Sequence, residues 1–276
     1  MRVLTRFRPV VLATIIATIA TAAIGAEPAA TPPASGTQKA APAFADRLFL
    51  AFAQDAALVP SQWWEGRVEY ADGKDNAPNV WLVRGVFAFH PIKSLEVGGN
   101  VGFGHASSSV GPGGTGATDL DVCGKWVFAD VSSNLDLTAG LLISVPTGDD
   151  TAGLGYNAFG SQIFGGLRYR MRDVVIGGQV GVRYNGNGKF QGIDHSGKTS
   201  FALGGSAIFP LANQVAIVAE AQFESDRFED IDASTQLLVG VNWRAFGRGM
   251  LRGAVSGGLT GGAPNFRVIL GYAYSF

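Results

Sequence analysis

Apolar residues fall at every second position through most of this chain. The last twelve residues, Asn265 to Phe276, give the pattern at its cleanest. Phe266, Val268, Leu270, Tyr272, Tyr274 and Phe276 share one face of an extended strand, and Arg267, Ile269, Gly271, Ala273 and Ser275 share the other. A period of two marks a strand with one apolar face. Leu95, Val97, Gly99, Val101 and Phe103 alternate in the same way with Glu96, Gly98, Asn100, Gly102 and Gly104. Twelve such segments follow, near 62–71, 79–90, 95–106, 117–129, 134–145, 158–170, 174–184, 198–209, 214–225, 234–244, 250–259 and 265–276. Only 198–209 blurs, because Phe201, Ala202, Leu203 and Ile208 do not separate onto two faces by eye. The segment length suits tilted strands crossing a bilayer. The fold class expected is therefore all-β: a transmembrane, antiparallel, up-and-down β-barrel of about twelve strands over 61–276.

The connections strengthen that expectation. Short ones at 91–94, 131–133, 171–173, 210–213 and 245–249 alternate with longer or glycine-rich ones at 72–78, 107–116, 146–157, 185–197, 226–233 and 260–264. Short turns at one rim and long loops at the other are the habit of outer-membrane barrels. An even strand number leaves both termini at the short-turn rim, the periplasmic side. Aromatics on the apolar parity fall into two bands. Phe89, Phe128, Tyr169, Phe209, Trp243 and Phe276 sit near the short turns, and Tyr70, Trp81, Phe103, Phe159, Tyr184, Phe223 and Phe266 near the long loops. Rings with a polar and an apolar end settle at membrane–water boundaries, so two girdles are expected. The terminal strand, ending on Phe276, resembles the closing strand of bacterial outer-membrane barrels. That likeness implies recognition by the barrel-assembly machinery through Tyr272, Tyr274 and Phe276.

The N-terminus reads differently. Arg2, Arg6 and Arg8 precede an apolar run from Val10 to Ile24, with small residues at Ala23, Gly25 and Ala26. Such flanks fit a secretory signal peptide over 1–26. Residues 27–60 read as an Ala/Pro-rich linker followed by an apolar lead-in, Phe44 to Leu58, which either lies at the periplasmic face or enters the lumen. No later run approaches the roughly 18 apolar residues a membrane helix needs. Net charge is −1, and no basic stripe suggests a nucleic-acid partner. Cys123 is alone, which excludes an internal disulfide and a cysteine-based metal site.

A charge facing lipid near the bilayer midplane costs roughly 2–4 kcal/mol. The charged parity must therefore face the lumen. It carries Glu65, Arg67, Glu69, Arg84, Glu96, Asp119, Asp121, Lys125, Asp136, Arg168, Arg170, Arg183, Glu220, Glu224, Arg244, Arg252 and Arg267. Two readings stay open. These charges neutralise one another in a filled structural lumen, or they line a path for a small solute. In the second reading Arg168, Arg170 and Arg183 form a basic ladder and Asp119, Asp121 and Asp136 an acidic one. The two would stand opposed across a narrow barrel.

Short motifs add a family resemblance. TDLDVCGKWVF (118–128), LDLTAGLLISVPTGDD (135–150) and SQIFGGLRYRM (161–171) follow QDAALVPSQWWEGRVEY (54–70). A strand ending Gly-Lys-Trp, a strand ending Pro146-Thr147-Gly148-Asp149 and a glycine-containing loop after it resemble the phenol-degradation meta-pathway (MetA-like) outer-membrane family. Thr118 stands where that pattern usually has glycine. The resemblance implies an outer-membrane channel or transporter for passive uptake of small molecules, aromatic ones among them. It does not fix a phenol substrate. The alternative is a structural or surface-interaction barrel with a plugged lumen. The partners implied are outer-membrane lipid, lipopolysaccharide and a small solute.

Other chemistry is weaker. His105-Ala106-Ser107 resembles the His-x-Ser order of outer-membrane phospholipases, but no orienting residue follows nearby. No enzyme is expected. Gly111–Gly116 and Gly186–Lys189 lack the strand–loop–helix setting of phosphate cradles. Glu224–Asp232 reads as a solvated acidic loop, and its spacing fits no calcium loop. His90 and His195 are too far apart in strand order for a metal site. No cofactor is expected.

Overall fold

The computed structural model describes residues 47–50, 55–56, 58–59, 62–74, 77–108, 111–132, 134–172 and 174–276. The expected signal peptide, the linker and part of the lead-in lie outside the described residues.

Alternating sequence becomes alternating wall. The strands are β1 (Trp63–Asp72), β2 (Asn79–Ile92), β3 (Leu95–Ser107), β4 (Gly114–Ala117), β5 (Leu120–Ser132), β6 (Leu135–Val145), β7 (Gly160–Arg170) and β8 (Val175–Asn185). A small hairpin, β9 (Gly188–Phe190) and β10 (Ile193–His195), precedes β11 (Thr199–Ala212), β12 (Val215–Glu224), β13 (Ser234–Phe246), β14 (Gly249–Gly258) and β15 (Phe266–Ser275). β4 and β5 are two halves of one wall strand. They part at Thr118–Asp119, where Gly102 and Thr118 still exchange backbone bonds with each other's side chain and carbonyl (2.8 Å each). Counted so, twelve antiparallel strands make the wall among the described residues. Each pairs with its neighbour, and the ends meet: β1 pairs β15 from Trp63↔Ser275 to Asp72↔Phe266. The barrel is closed, as required where lipid offers no partner for an open edge.

Burial is inverted relative to a water-soluble protein. Ile163, Val83 and Phe103 are 71%, 63% and 60% exposed on the outer face, while Lys125 and Arg168 are 1% and 2% exposed inside. Water would not tolerate so continuous an apolar belt; hydrocarbon would. Both expected aromatic girdles lie on this outer face, with Tyr70, Trp81 and Phe266 clustered at the loop rim (4.6 and 5.6 Å between ring centres). The blurred segment resolves into an ordinary strand. Phe201, Leu203 and Phe209 point out from β11, and Ala202 and Ile208 point in.

Register shifts fall beside four short turns, at Phe89/Ile92, Phe128/Ser132, Pro210/Ala212 and Trp243/Phe246. Proline lacks the N–H that a continuous ladder needs, which suits Pro210 to its bulge. Gly247 takes a positive φ of 53° in the tight β13–β14 turn, a conformation glycine adopts without penalty.

The inner face is not uniformly polar. In the half nearer the short turns, Trp63, Val86, Ala88, Ile208, Val218, Leu238, Met250 and Ile269 form a buried apolar cluster with Leu48, Phe49 and Val59. The described part of the lead-in therefore occupies the lumen, one of the two placements its sequence left open.

Candidate functional site

The lumen divides at mid-height. In the turn half, the wall's charges are committed to the inserted segment. Glu220 accepts the backbone N–H groups of Phe49 and Leu50. Glu96 accepts Val59 N–H (2.7 Å) and pairs with Lys125 (3.0 Å) and Arg47 (3.8 Å). Lys125 donates to the Asp55 carbonyl (2.6 Å), and Arg168 pairs with the Asp55 carboxylate (3.3 Å). Arg252 is the busiest group. It pairs with Glu65 (2.6 Å), donates to Asn242 (3.0 Å) and to the carbonyls of Arg47 (3.1 Å) and Leu48 (2.7 Å), and lies 4.2 Å over the Phe49 ring. Arg67 joins Glu65 and also donates to the Phe49 carbonyl (3.1 Å). Gly240 lets the ring sit against the wall, since a Cβ there would be 2.7 Å from Phe49.

Asp136 and Arg170 form a separate pair (2.7 Å) near the short turns. Asp136 also lies directly opposite Arg168 in the β6–β7 ladder. The acidic and basic ladders are thus side by side on β5, β6, β7 and β8, not opposed across the barrel. Adjacent strands of opposite charge neutralise each other locally, so the transverse field expected from opposed ladders does not arise. Arg244 lies on the inner parity of β13, close to the β13–β14 turn.

The loop half is open. Two spaces of about 240 and 310 Å³ stand one above the other. Phe49 and Leu50 form the floor of the lower one. Glu69, Arg84, Asp121, Arg183 and Arg267 border both spaces. A belt of polar contacts runs round the wall here. Glu69 pairs with Arg84 (3.3 Å), Arg84 donates to Asn100 (2.6 Å), and Asn100 donates to Asp121 (3.3 Å). Ser144 donates to Asp121 and accepts from Arg183 (2.7 Å). Glu224 lies on the lower space, 3.7 Å from Arg227.

Three loops cover the mouth. Residues 146–159 fold inward, burying Ala152 and Leu154 against Ala106. The Pro146-Thr147-Gly148-Asp149 motif is what fastens this loop. Thr147 Oγ1 accepts Leu120 N–H (2.9 Å), Gly148 N–H donates to the Asp119 carboxylate (3.0 Å), and Asp149 N–H donates to the Ala117 carbonyl (3.0 Å). Asp119 also accepts Tyr156 N–H (3.1 Å), so it anchors the loop as well as bordering the upper space. Tyr156 stacks between Phe190 (4.9 Å) and Phe228 (4.8 Å), with Arg227 5.2 Å over its ring. Burial holds the Tyr156 phenol above its usual range, so it stays a neutral donor at neutral pH. The 225–233 loop is not simply a solvated acidic face, because Phe228 in it is fully buried.

The fifteen candidate lumen residues lie on the inner parity, and apart from Arg244, which sits by the β13–β14 turn and lines neither space, they do two jobs. Glu96, Lys125, Asp136, Arg168, Arg170, Glu220 and Arg252 belong to the filled half. Arg84, Asp119, Asp121, Arg183, Glu224 and Arg267 face open space, and Arg67 touches both. Sequence reasoning missed Asn100, Gln162, Tyr156 and Arg227. The first two are neutral residues on the charged parity, a signal that was present. The last two sit in loops, where alternation gives no guidance. His105 bonds to Thr115 (3.0 Å) and Ser107 leans on the Asn79 carbonyl (3.5 Å).

No family model matches the chain, and no curated protein matches it. Among solved structures it is similar to an outer membrane channel from Pseudomonas putida F1, at 18% identity, with a TM-score of 0.63, over 80% of this chain and 98% of that one. It is also similar to the KdgM porin, solved in complex with disordered oligogalacturonate, at 12% identity and a TM-score of 0.56, over 78% of this chain and 99% of that one. At such identities the likeness carries the fold: a closed, twelve-stranded antiparallel barrel of the outer-membrane type.

Proposed function

We propose that this barrel is a bacterial outer-membrane channel for passive uptake of small molecules. The observation that carries the reading is the open, charge-lined loop half of the lumen beneath an aromatic lid. Lumen side chains there can replace part of a solute's hydration while the loops narrow the mouth. The start of β1, the end of β15 and the short turns share one rim, which we assign to the periplasm, with the long loops meeting lipopolysaccharide outside. Tyr272, Tyr274 and Phe276 would serve assembly of the barrel. Two structural neighbours are a porin and an outer membrane channel, which supports the reading. The MetA-like motifs favour small, often aromatic, solutes.

A second reading is favoured by one observation: Arg252, Glu220, Glu96 and Arg168 all hold the inserted segment in place. In that reading the lumen is plugged and the loops do the binding. Single-channel recording in a planar bilayer separates the two. The channel reading expects small steps in the native protein and larger ones when Asp55→Ala and Glu220→Gln together loosen the segment. Silence in both proteins would establish the plugged barrel.

A further inference from the structure

We propose that the loop half of the lumen is a binding site for a small aromatic carboxylate, its carboxylate against Arg183 and Arg267 and its ring beneath Tyr156 and Phe190. The proposal names the solute class of the channel reading and rests on it. It begins with donors and acceptors at the junction of the two spaces. Three guanidinium groups, of Arg84, Arg183 and Arg267, meet two carboxylates, of Glu69 and Asp121. One positive charge is left over. Both carboxylates already have donors: Glu69 has Arg84 (3.3 Å), and Asp121 has Asn100 (3.3 Å) and Ser144.

The donors are less well served. Arg267 has no hydrogen bond and no ion pair among the described residues. Arg183 gives one nitrogen to Ser144, and its buried Nε has no acceptor. Gln162 is 3% exposed and lines the lower space, yet its amide nitrogen also lacks an acceptor. Two acceptors on the lower space, Glu224 Oε1 and Gln236 Oε1, lack hydrogen bonds as well. The lining still carries four guanidinium groups, of Arg67, Arg84, Arg183 and Arg267, against three carboxylates, of Glu69, Asp121 and Glu224. That net positive charge around unfilled space calls for an anionic acceptor with two oxygens, and guanidinium groups grip carboxylates through paired bonds. A ligand ammonium would meet like charge here, and a neutral alcohol would leave most donors unpaired.

The other end of the site is apolar. Val80, Leu82, Leu154, Tyr156 and Phe190 border the upper space. The cavity volumes, about 310 Å³ there and 240 Å³ below, leave room for a single-ring compound. A carboxylate held low would place its ring among these side chains, where an aliphatic acid as small as acetate could not reach.

Calorimetric titration of the purified full chain in detergent micelles tests this with benzoate, acetate, benzyl alcohol and benzylamine. Benzoate is expected to bind more tightly than each of the other three. Arg267→Gln is expected to weaken benzoate about ten-fold or more, the worth of one charged hydrogen-bonding group, and to leave benzyl alcohol unchanged. Arg183→Gln provides a second variant, and heat-modified gel migration reports whether each barrel is folded. Benzyl alcohol or benzylamine binding as tightly as benzoate would overturn the site. So would unchanged benzoate affinity in both folded variants. Binding does not require conduction, so the two readings fail separately. A protein silent in bilayers that still binds benzoate loses the channel and keeps the site. One that conducts but ignores benzoate loses only the site.

Discussion

Arg252 condenses the chemistry of the filled half into one side chain. It is fully enclosed, and all three of its side-chain nitrogens donate: to Glu65, to Asn242, and to the carbonyls of Arg47 and Leu48. Removing one member of such a buried set leaves the other uncompensated, at a cost of roughly 3–5 kcal/mol. Arg252→Ala should therefore lower the midpoint of unfolding in denaturant and release the lead-in around Arg47 and Leu48. Limited proteolysis within that segment is the measurement, with faster cleavage expected in the variant. Arg252→Lys should behave almost as badly, because a single ammonium cannot reach a carboxylate, a side-chain amide and two carbonyls at once. If Arg252→Lys matches the native protein in both assays, charge alone matters and the hydrogen-bond geometry does not.

At the scale of elements, the wall and its contents obey different rules. The loop 146–159 is fixed by one carboxylate that accepts two backbone N–H groups, from Gly148 and Tyr156. Asp119→Ala removes both acceptors. Each lost bond is worth about 0.5–1.5 kcal/mol net, so exchange of those two amides should speed up about five-fold or more, while amides of the β1–β15 ladder hold their rates. The strands themselves were legible in sequence because lipid outside and polar groups inside impose a strict period of two. The inserted segment was legible only as one of two placements. Phe49 meets Glu220 across 171 positions of chain, and no local period announces such a contact. A signal did exist on the wall, where Val86, Val218, Leu238 and Ile269 occupy the parity that should be polar. Those positions await an apolar occupant of the lumen. The charge ladders were misread for a simpler reason. Asp136 and Arg168 are side by side because β6 and β7 are neighbours, a fact that strand order alone contains.

For the whole molecule, the two faces of one strand should respond in opposite ways to the same substitution. Val180 is the midpoint of β8 and lies 54% exposed on the outer face. Gln179, the residue before it, points into the lumen and lacks hydrogen-bond partners at both amide atoms. An arginine at position 180 would face the bilayer midplane and cost roughly 2–4 kcal/mol. An arginine at 179 would replace one polar lumen group by another, with Glu220 and Asp55 bordering the same small space to receive it. Equilibrium unfolding in lipid vesicles should therefore find Val180→Arg strongly destabilised and Gln179→Arg close to native. In detergent or in water-filled assemblies the outer penalty should shrink, since the charge could be solvated there. Equal losses at the two positions in vesicles would mean that β8 does not present one face to hydrocarbon. The inverted burial, the closed β1–β15 seam and the two aromatic girdles would then need a different solvent to explain them. Adjacent residues on one strand thus test the membrane directly, because they share backbone, height and neighbours and differ only in which side of the wall they face.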